Sequence, residues 1–305
     1  MNDTCGLGTL ALPLPLGQFF YVYLGTLLVL GLLLNGLALW VFCHRMRQWT
    51  ETRVYMTNLA VADLCLLCTM PFVLYSLKDT SGDTPLCQLS QATYLANRYM
   101  SISLVTAIAV DRYMAVRHPL RTRGFRSPRQ AAAVCALLWV LVVTSLVARW
   151  VLGMQEGGFC FTNRSRHNNS TVVFSLVGFY LPLAVLVFCS LQVVTALAQR
   201  PATDTGQAEA TYRAVRMVWA NLAVFVVCFL PLHVVLTVYV ALGLEPCATL
   251  ECALFITSKL SDANCCLDAI CYYYTAKEFQ EASSLAVTPS AKAHKSQDSL
   301  FVTLS

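Results

Sequence analysis

Seven stretches of the chain are almost wholly apolar, and polar residues crowd into the short segments between them. They run over residues 19–43, 54–77, 86–116, 129–152, 171–198, 214–242 and 253–274. Each reaches the roughly 20 residues that a helix needs to cross about 30 Å of hydrocarbon at 1.5 Å per residue. The pattern predicts an all-α fold, an integral membrane bundle of seven transmembrane helices. An odd number of crossings places the two termini on opposite sides of the bilayer. No internal repeat of a few tens of residues appears, so residues 19–282 read as one domain. Residues 1–18 form a terminal segment, and the polar, Ser/Thr-rich stretch 283–305 reads as a disordered tail.

Composition agrees with the pattern. The chain is 57% hydrophobic and 12% charged, against about 25% charged in a soluble domain. A lipid-solvated exterior does not need the missing charges. The first 18 residues lack a positive leader and carry leucine-proline steps, so span one is expected to act as its own insertion signal.

Charge placement gives orientation. Six of the 21 Lys and Arg residues lie within spans or in the segments on one side: Lys78, Arg98, Arg149, Arg164, Arg166 and Lys259. The rest lie at the opposite ends, in the connections after spans one, three and five, and in the tail. The amino terminus is therefore expected outside and the tail in the cytoplasm, as in a multi-pass plasma-membrane protein. This asymmetry accounts for the net charge of +5, so no nucleic-acid partner is implied. Glycosylation sequons at Asn2, Asn163, Asn168 and Asn169 all fall on the side read as extracellular.

Of 14 cysteines, most lie inside spans and read as small apolar side chains. Cys87, at the outer start of span three, and Cys160, in the second outer loop, both face the oxidising side. A bond between them would pin that loop over the bundle. Cys5 and Cys247 are a candidate second clip. No zinc or redox motif is present.

Span three ends on Asp111-Arg112-Tyr113. An Arg at the membrane boundary can be held by its neighbouring Asp in one state and swing onto an inserted partner in another. Alone, the tripeptide is also read as a positive anchor. It has company: Asn35 in span one, Asn58-Leu59-Ala60-Val61-Ala62-Asp63 in span two, Trp139 in span four and Pro182 in span five. Span six adds Phe229-Leu230-Pro231, and span seven Asp268-Ala269-Ile270-Cys271-Tyr272, followed by Lys277-Glu278-Phe279. This ordered set resembles the rhodopsin-like G-protein-coupled receptors over essentially the whole chain, near the branch of hydroxycarboxylic acid and purinergic receptors.

The resemblance implies a short amphipathic eighth helix after span seven. It also implies a G-protein switch formed by Asp111, Arg112, Tyr113 and Tyr272. A heterotrimeric G protein, inhibitory class included, would be the transducer, with receptor kinases and arrestin as further partners. Ser283, Ser284, Thr288, Ser290, Ser296, Ser299 and Thr303 are the candidate phosphorylation sites. Asp63 matches the Asp that binds sodium in relatives, and Asn97, Ser101, Asn264 and Asp268 match its oxygen donors. No other cofactor is implied. Departures are informative as well. Phe229 stands where the family carries Trp, and Asp268-Ala269 stand where it carries Asn-Pro. The missing proline removes one cause of a kink, and two nearby carboxylates tend to share a proton unless a cation intervenes. No cysteine follows Cys271 to carry a lipid anchor.

Arg98 is the most distinctive residue. It lies 14 positions before Arg112 and 11 after Cys87, about 21 Å and 16 Å along a helix. That is too deep to snorkel easily, so it needs an anionic or polar partner. A ligand carboxylate, Asp63 or Asp268, and ordered water are the alternatives. Tyr94, one turn away, faces the same direction and occupies the position of the Asp of amine receptors. The family layout points Arg149 into the same cavity. Arg164, Arg166 and Lys78 cluster near its mouth, and Phe229 and His233 are assigned to its span-six wall. Lys259 is expected to be neutralised by Asp262. The expected ligand is a small carboxylate- or phosphate-bearing anion. An organic-anion transporter is the alternative function, although no paired broken helices support it. No nucleophile–base spacing indicates an enzyme.

Overall fold

The structure is a computed structural model describing residues 14–46, 48–76, 85–122, 126–151, 176–199, 205–242 and 248–275. Among them there is no strand. The helices are α1 Leu14–Trp40, α2 Glu51–Ser76, α3 Pro85–Arg117, α4 Pro128–Val151, α5 Leu181–Ala198, α6 Thr205–Ala241, α7 Ala248–Asp262 and α8 Asn264–Thr275. A π-helical turn, Val41–Arg45, extends α1, and another, Leu176–Tyr180, leads into α5. A single helical turn, Pro119–Thr122, follows α3.

Local chemistry sets the starts. The Thr50 hydroxyl accepts from the Arg53 amide at 3.3 Å, and Glu51 occupies the first turn of α2, where a carboxylate complements the helix dipole. Ser127 caps α4 through the Gln130 amide at 3.3 Å, with Pro128 at the first helical position, where its missing N–H is not needed. At the end of α1, the buried Arg53 takes up freed carbonyls. Its Nη1 donates to Met46 O at 3.0 Å and Gln48 O at 2.7 Å, and its Nη2 to Phe42 O.

Among the described residues, six helices are long and apolar enough to cross a membrane. Their outward faces are hydrophobic: on α4, Val140, Leu141 and Val147 are 60%, 55% and 52% exposed. Such a face suits lipid rather than water. α3 runs through the middle, packed on α2, α4, α5 and α6. Its Met100, Leu104 and Ile108 join Phe179, Leu186, Phe225, Phe229 and Tyr272 in the main core. Gly31 on α1 leaves room for Leu67 of α2: a Cβ there would lie 2.7 Å from Leu67 Cδ2, and Leu67 would have to shift. Polar bridges tie helices across the bundle: Trp139 Nε1 donates to Asn58 Oδ1 at 3.1 Å, and buried Asn35 Nδ2 donates to Cys265 O at 2.8 Å.

Two elements differ from the sequence pattern. The fifth-to-sixth connection, expected over 199–212, is shortened because α6 is already helical from Thr205; Ala208, Glu209 and Ala210 are strong helix formers. The seventh span, expected as one helix over 253–274, is broken at Ala263 into α7 and α8. No proline causes this break. Instead, neighbours take up the carbonyls around it. Tyr94 Oη donates to Ser258 O at 2.8 Å, Tyr23 Oη to Lys259 O at 3.0 Å, Cys265 Sγ to Asp262 O at 3.0 Å, and Asn35 to Cys265 O. A helix whose carbonyls are satisfied from outside can open without leaving them orphaned. The amphipathic helix expected beyond span seven lies outside the described residues.

Candidate functional site

Three polar layers lie along α3, separated by apolar packing. The first centres on half-buried Arg98. Its Nη2 donates to Tyr94 Oη at 2.8 Å, Ser261 Oγ at 2.9 Å and Ser258 Oγ at 3.2 Å. Its guanidinium carbon lies 4.8 Å from the Tyr94 ring centre. Among the described residues no carboxylate is within ion-pair distance of Arg98. Asp63 is engaged by Asn97, whose Nδ2 donates to Oδ1 at 3.0 Å. The nearby cation Lys259 pairs with Asp262 at 3.5 Å, both side chains almost fully buried. Phe229 and His233 are also buried. His233 stacks on Phe179 at 3.9 Å, Phe179 on Phe225 at 5.6 Å, and Phe229 meets Phe225 edge-on at 5.5 Å. The two therefore belong to an aromatic column between α5 and α6. Arg149 lies in the last turns of α4 and Cys87 in the first turn of α3. Their side chains, and Lys78, Arg164, Arg166, Cys160, Cys5 and Cys247, lie outside the described set. So do the four sequons and the tail sites.

Deeper, Asp63, Asn97, Ser101, Asn264 and Asp268 are all buried. Asp63 Oδ2, Ser101 Oγ, both amide atoms of Asn264, Asp268 Oδ2 and Tyr272 Oη have no hydrogen-bond partner among the described groups. Buried polar atoms are rarely left so. Their concentration in one layer, mostly oxygens with two carboxylates among them, suits a hard monovalent cation with water. Tyr272 closes the layer below, its ring edge-on to Phe42 at 5.6 Å.

The third layer is ionic. Arg112 Nη2 donates to Asp111 Oδ2 at 2.9 Å and to Thr52 Oγ1. Arg126 grips the same carboxylate from the side, Nε to Oδ1 at 2.9 Å and Nη2 to Oδ2 at 3.0 Å, and lies 3.6 Å from Glu51 Oε2. Donating to the Asp111 carboxylate raises the Arg126 pKa further. Tyr113 Oη meets His118 Nε2 at 3.2 Å. Beside Arg112 a narrow crevice runs between α3, α5 and α6, lined by Ile108, Leu186, Val193, Met217 and Asn221.

Such a set of layers on one long central helix can be compared with known proteins. The family profile described as 7 transmembrane receptor (rhodopsin family) matches residues 34–272. The chain belongs to this family. It is 77% identical to human G-protein coupled receptor 35 over 305 residues, covering 99% of this chain and 98% of that one. It is also 34% identical to human lysophosphatidic acid receptor 4 over 294 residues (90% and 77% of the two chains). With human hydroxycarboxylic acid receptor 3 it shares 34% identity over 278 residues (84% and 69%). The chain is thus a multi-pass membrane receptor of the G-protein-coupled kind and a homologue of G-protein coupled receptor 35. The family is one of signalling receptors, not of enzymes, and the transporter alternative falls away.

Sequence reasoning missed Ser258 and Ser261. A signal was available: with Asp262 they make a polar stripe one turn long in an apolar span. It also missed Thr52 and Arg126 as partners of Asp111-Arg112, and Glu51 as a partner of Arg126. Nothing in the local pattern joins segments so far apart.

Proposed function

We propose that this receptor binds a small carboxylate- or phosphate-bearing ligand from the extracellular side and transmits the signal to a heterotrimeric G protein, the inhibitory class among others. The observation that carries the reading is Arg98: a cation within a membrane span, held by three neutral hydroxyls, with no carboxylate within ion-pair distance among the described residues. A guanidinium in that setting has strong electrostatic demand for an anion, which it can grip through two parallel bonds. Two relatives are named for acids, lysophosphatidic acid and hydroxycarboxylic acid. The excess of Lys and Arg at the Asp111 end supports a plasma-membrane orientation with that end cytoplasmic. Arg149, Arg164, Arg166 and Lys78 would add positive charge at the mouth. The ligand acts by preferring the active bundle: α6, which carries Pro231 in its interior, pivots, and Arg112 leaves Asp111 to meet the G protein. Phosphorylation of the tail serines and threonines by receptor kinases would then recruit arrestin.

The test is G-protein dissociation in cells challenged with a panel of acidic, neutral and cationic metabolites. Acids are expected to activate, and Arg98→Ala to lower their potency at least tenfold, about 1.4 kcal/mol, at matched surface expression. Activation by neutral or cationic compounds alone would remove the anionic ligand from the reading.

Sodium fits the Asp63 layer as an allosteric ion that favours the resting bundle, held by Asp63, Asn97, Ser101, Asn264 and Asp268. Replacing sodium with a bulky organic cation should raise agonist potency several-fold in the wild type and leave Asp63→Asn unchanged. Sodium sensitivity that survives in both Asp63→Asn and Asp268→Asn would rule this site out.

A further inference from the structure

Arg126 has no place in the switch as described so far, yet it makes the more extensive contact with Asp111. Two of its nitrogens meet both carboxylate oxygens side-on, at 2.9 and 3.0 Å, whereas Arg112 contributes one bond, at 2.9 Å, to Oδ2. The Asp111 side chain is 8% exposed. When Arg112 swings away, a carboxylate so buried would be left without a counter-charge, which is strongly unfavourable. Arg126 changes that balance. The Arg112 bond is lost, but a bidentate cation stays on Asp111, and Glu51 at 3.6 Å helps to hold that cation in place.

We infer that Arg126 is a positioning residue for activation: a resident counter-ion for Asp111 that lets Arg112 leave. It is not a second bolt on the resting state. The inference rests on the proposed release of Arg112 from Asp111. It makes a directional claim, because a second bolt and a resident counter-ion predict opposite effects of removal. Without Arg126, Asp111 has Arg112 alone as its cation and holds it more tightly. Glu51 and Thr52, adjacent at the start of α2, take one arginine each, so the first turn of α2 keeps the two cations apart.

The experiment titrates nucleotide-free heterotrimeric G protein onto the detergent-purified full-length receptor without ligand. The heterotrimer is whichever of the inhibitory, stimulatory, q-type and 12/13-type classes the wild type binds most tightly. Asp111→Asn should tighten binding, Arg126→Ala should weaken it at least tenfold, and Arg126→Lys should fall between. In the double variant Asp111→Asn/Arg126→Ala, affinity should return to that of Asp111→Asn, because a neutral amide needs no counter-ion. Tighter or unchanged binding by Arg126→Ala overturns the inference. So does a double variant as weak as Arg126→Ala, which would make Arg126 a direct G-protein contact or a support of the fold. If Asp111→Asn fails to tighten binding, the release of Arg112 from Asp111 is itself wrong and the inference falls with it.

Discussion

Arg112→Ala is expected to abolish G-protein activation while the receptor reaches the cell surface at near wild-type levels. The two halves of that result have different causes. In the resting bundle Arg112 is 29% exposed and held by one carboxylate bond and the Thr52 hydroxyl. Truncating a partly solvated ion pair typically costs about 0–1 kcal/mol, and Asp111 keeps Arg126 as its counter-ion. Folding should therefore tolerate the change. Activation should not. An inserted helix end presents carbonyls without intrahelical partners and the negative pole of the dipole, and Arg112 lines the crevice between α3, α5 and α6 where such an end would enter. Alanine supplies neither reach nor charge. G-protein dissociation measured beside surface labelling decides it. Signalling close to wild type at equal surface density would take Arg112 out of the switch.

The bundle was legible because lipid imposes a simple rule on sequence. A crossing must be about 20 apolar residues long, and little else in the chain obscures such a run. The apolar pattern put the start of span four at 129, one residue from the observed start at Pro128, where Ser127 caps α4. The break at Ala263 was not legible, because its cause is distributed over Tyr94, Tyr23 and Asn35 on other helices. Attention to the missing proline looked for a local cause at Asp268-Ala269, downstream of the actual turn. The depth of Arg98 followed from counting residues, and Tyr94 followed from helical spacing. Its contacts with Ser258 and Ser261 required the relative rotation of α3 and α7, which no pattern within either helix encodes. The same limit hid Arg126: its bond to Asp111 spans a chain reversal after α3 whose geometry the sequence does not announce.

Lys259→Met is expected to destabilise the receptor more than Arg112→Ala does. Lys259 and Asp262 lie 3.5 Å apart, one turn apart on α7, with side chains 5% and 3% exposed. Methionine keeps most of the volume, so packing is largely preserved and the loss is electrostatic. Asp262 would retain a buried carboxylate without its pairing cation, a change that costs about 3–5 kcal/mol when one partner of a buried pair is removed. The location sharpens the effect, since Asp262 is the last residue of α7, immediately before the Ala263 break, and its carbonyl accepts from Cys265. A stressed carboxylate there should loosen the junction with α8. The double variant Lys259→Met/Asp262→Leu removes both charges and should recover most of the stability, because a buried pair contributes little beyond an apolar replacement of similar size. Thermal denaturation of the detergent-solubilised receptor separates these cases. A single variant as stable as the wild type would mean that water reaches Asp262 or another cation serves it. A double variant no better than the single would mean that Lys259 acts through packing against Tyr94 and Phe255, whose ring centres lie 5.1 and 5.8 Å from its nitrogen, and that the charge pair contributes little.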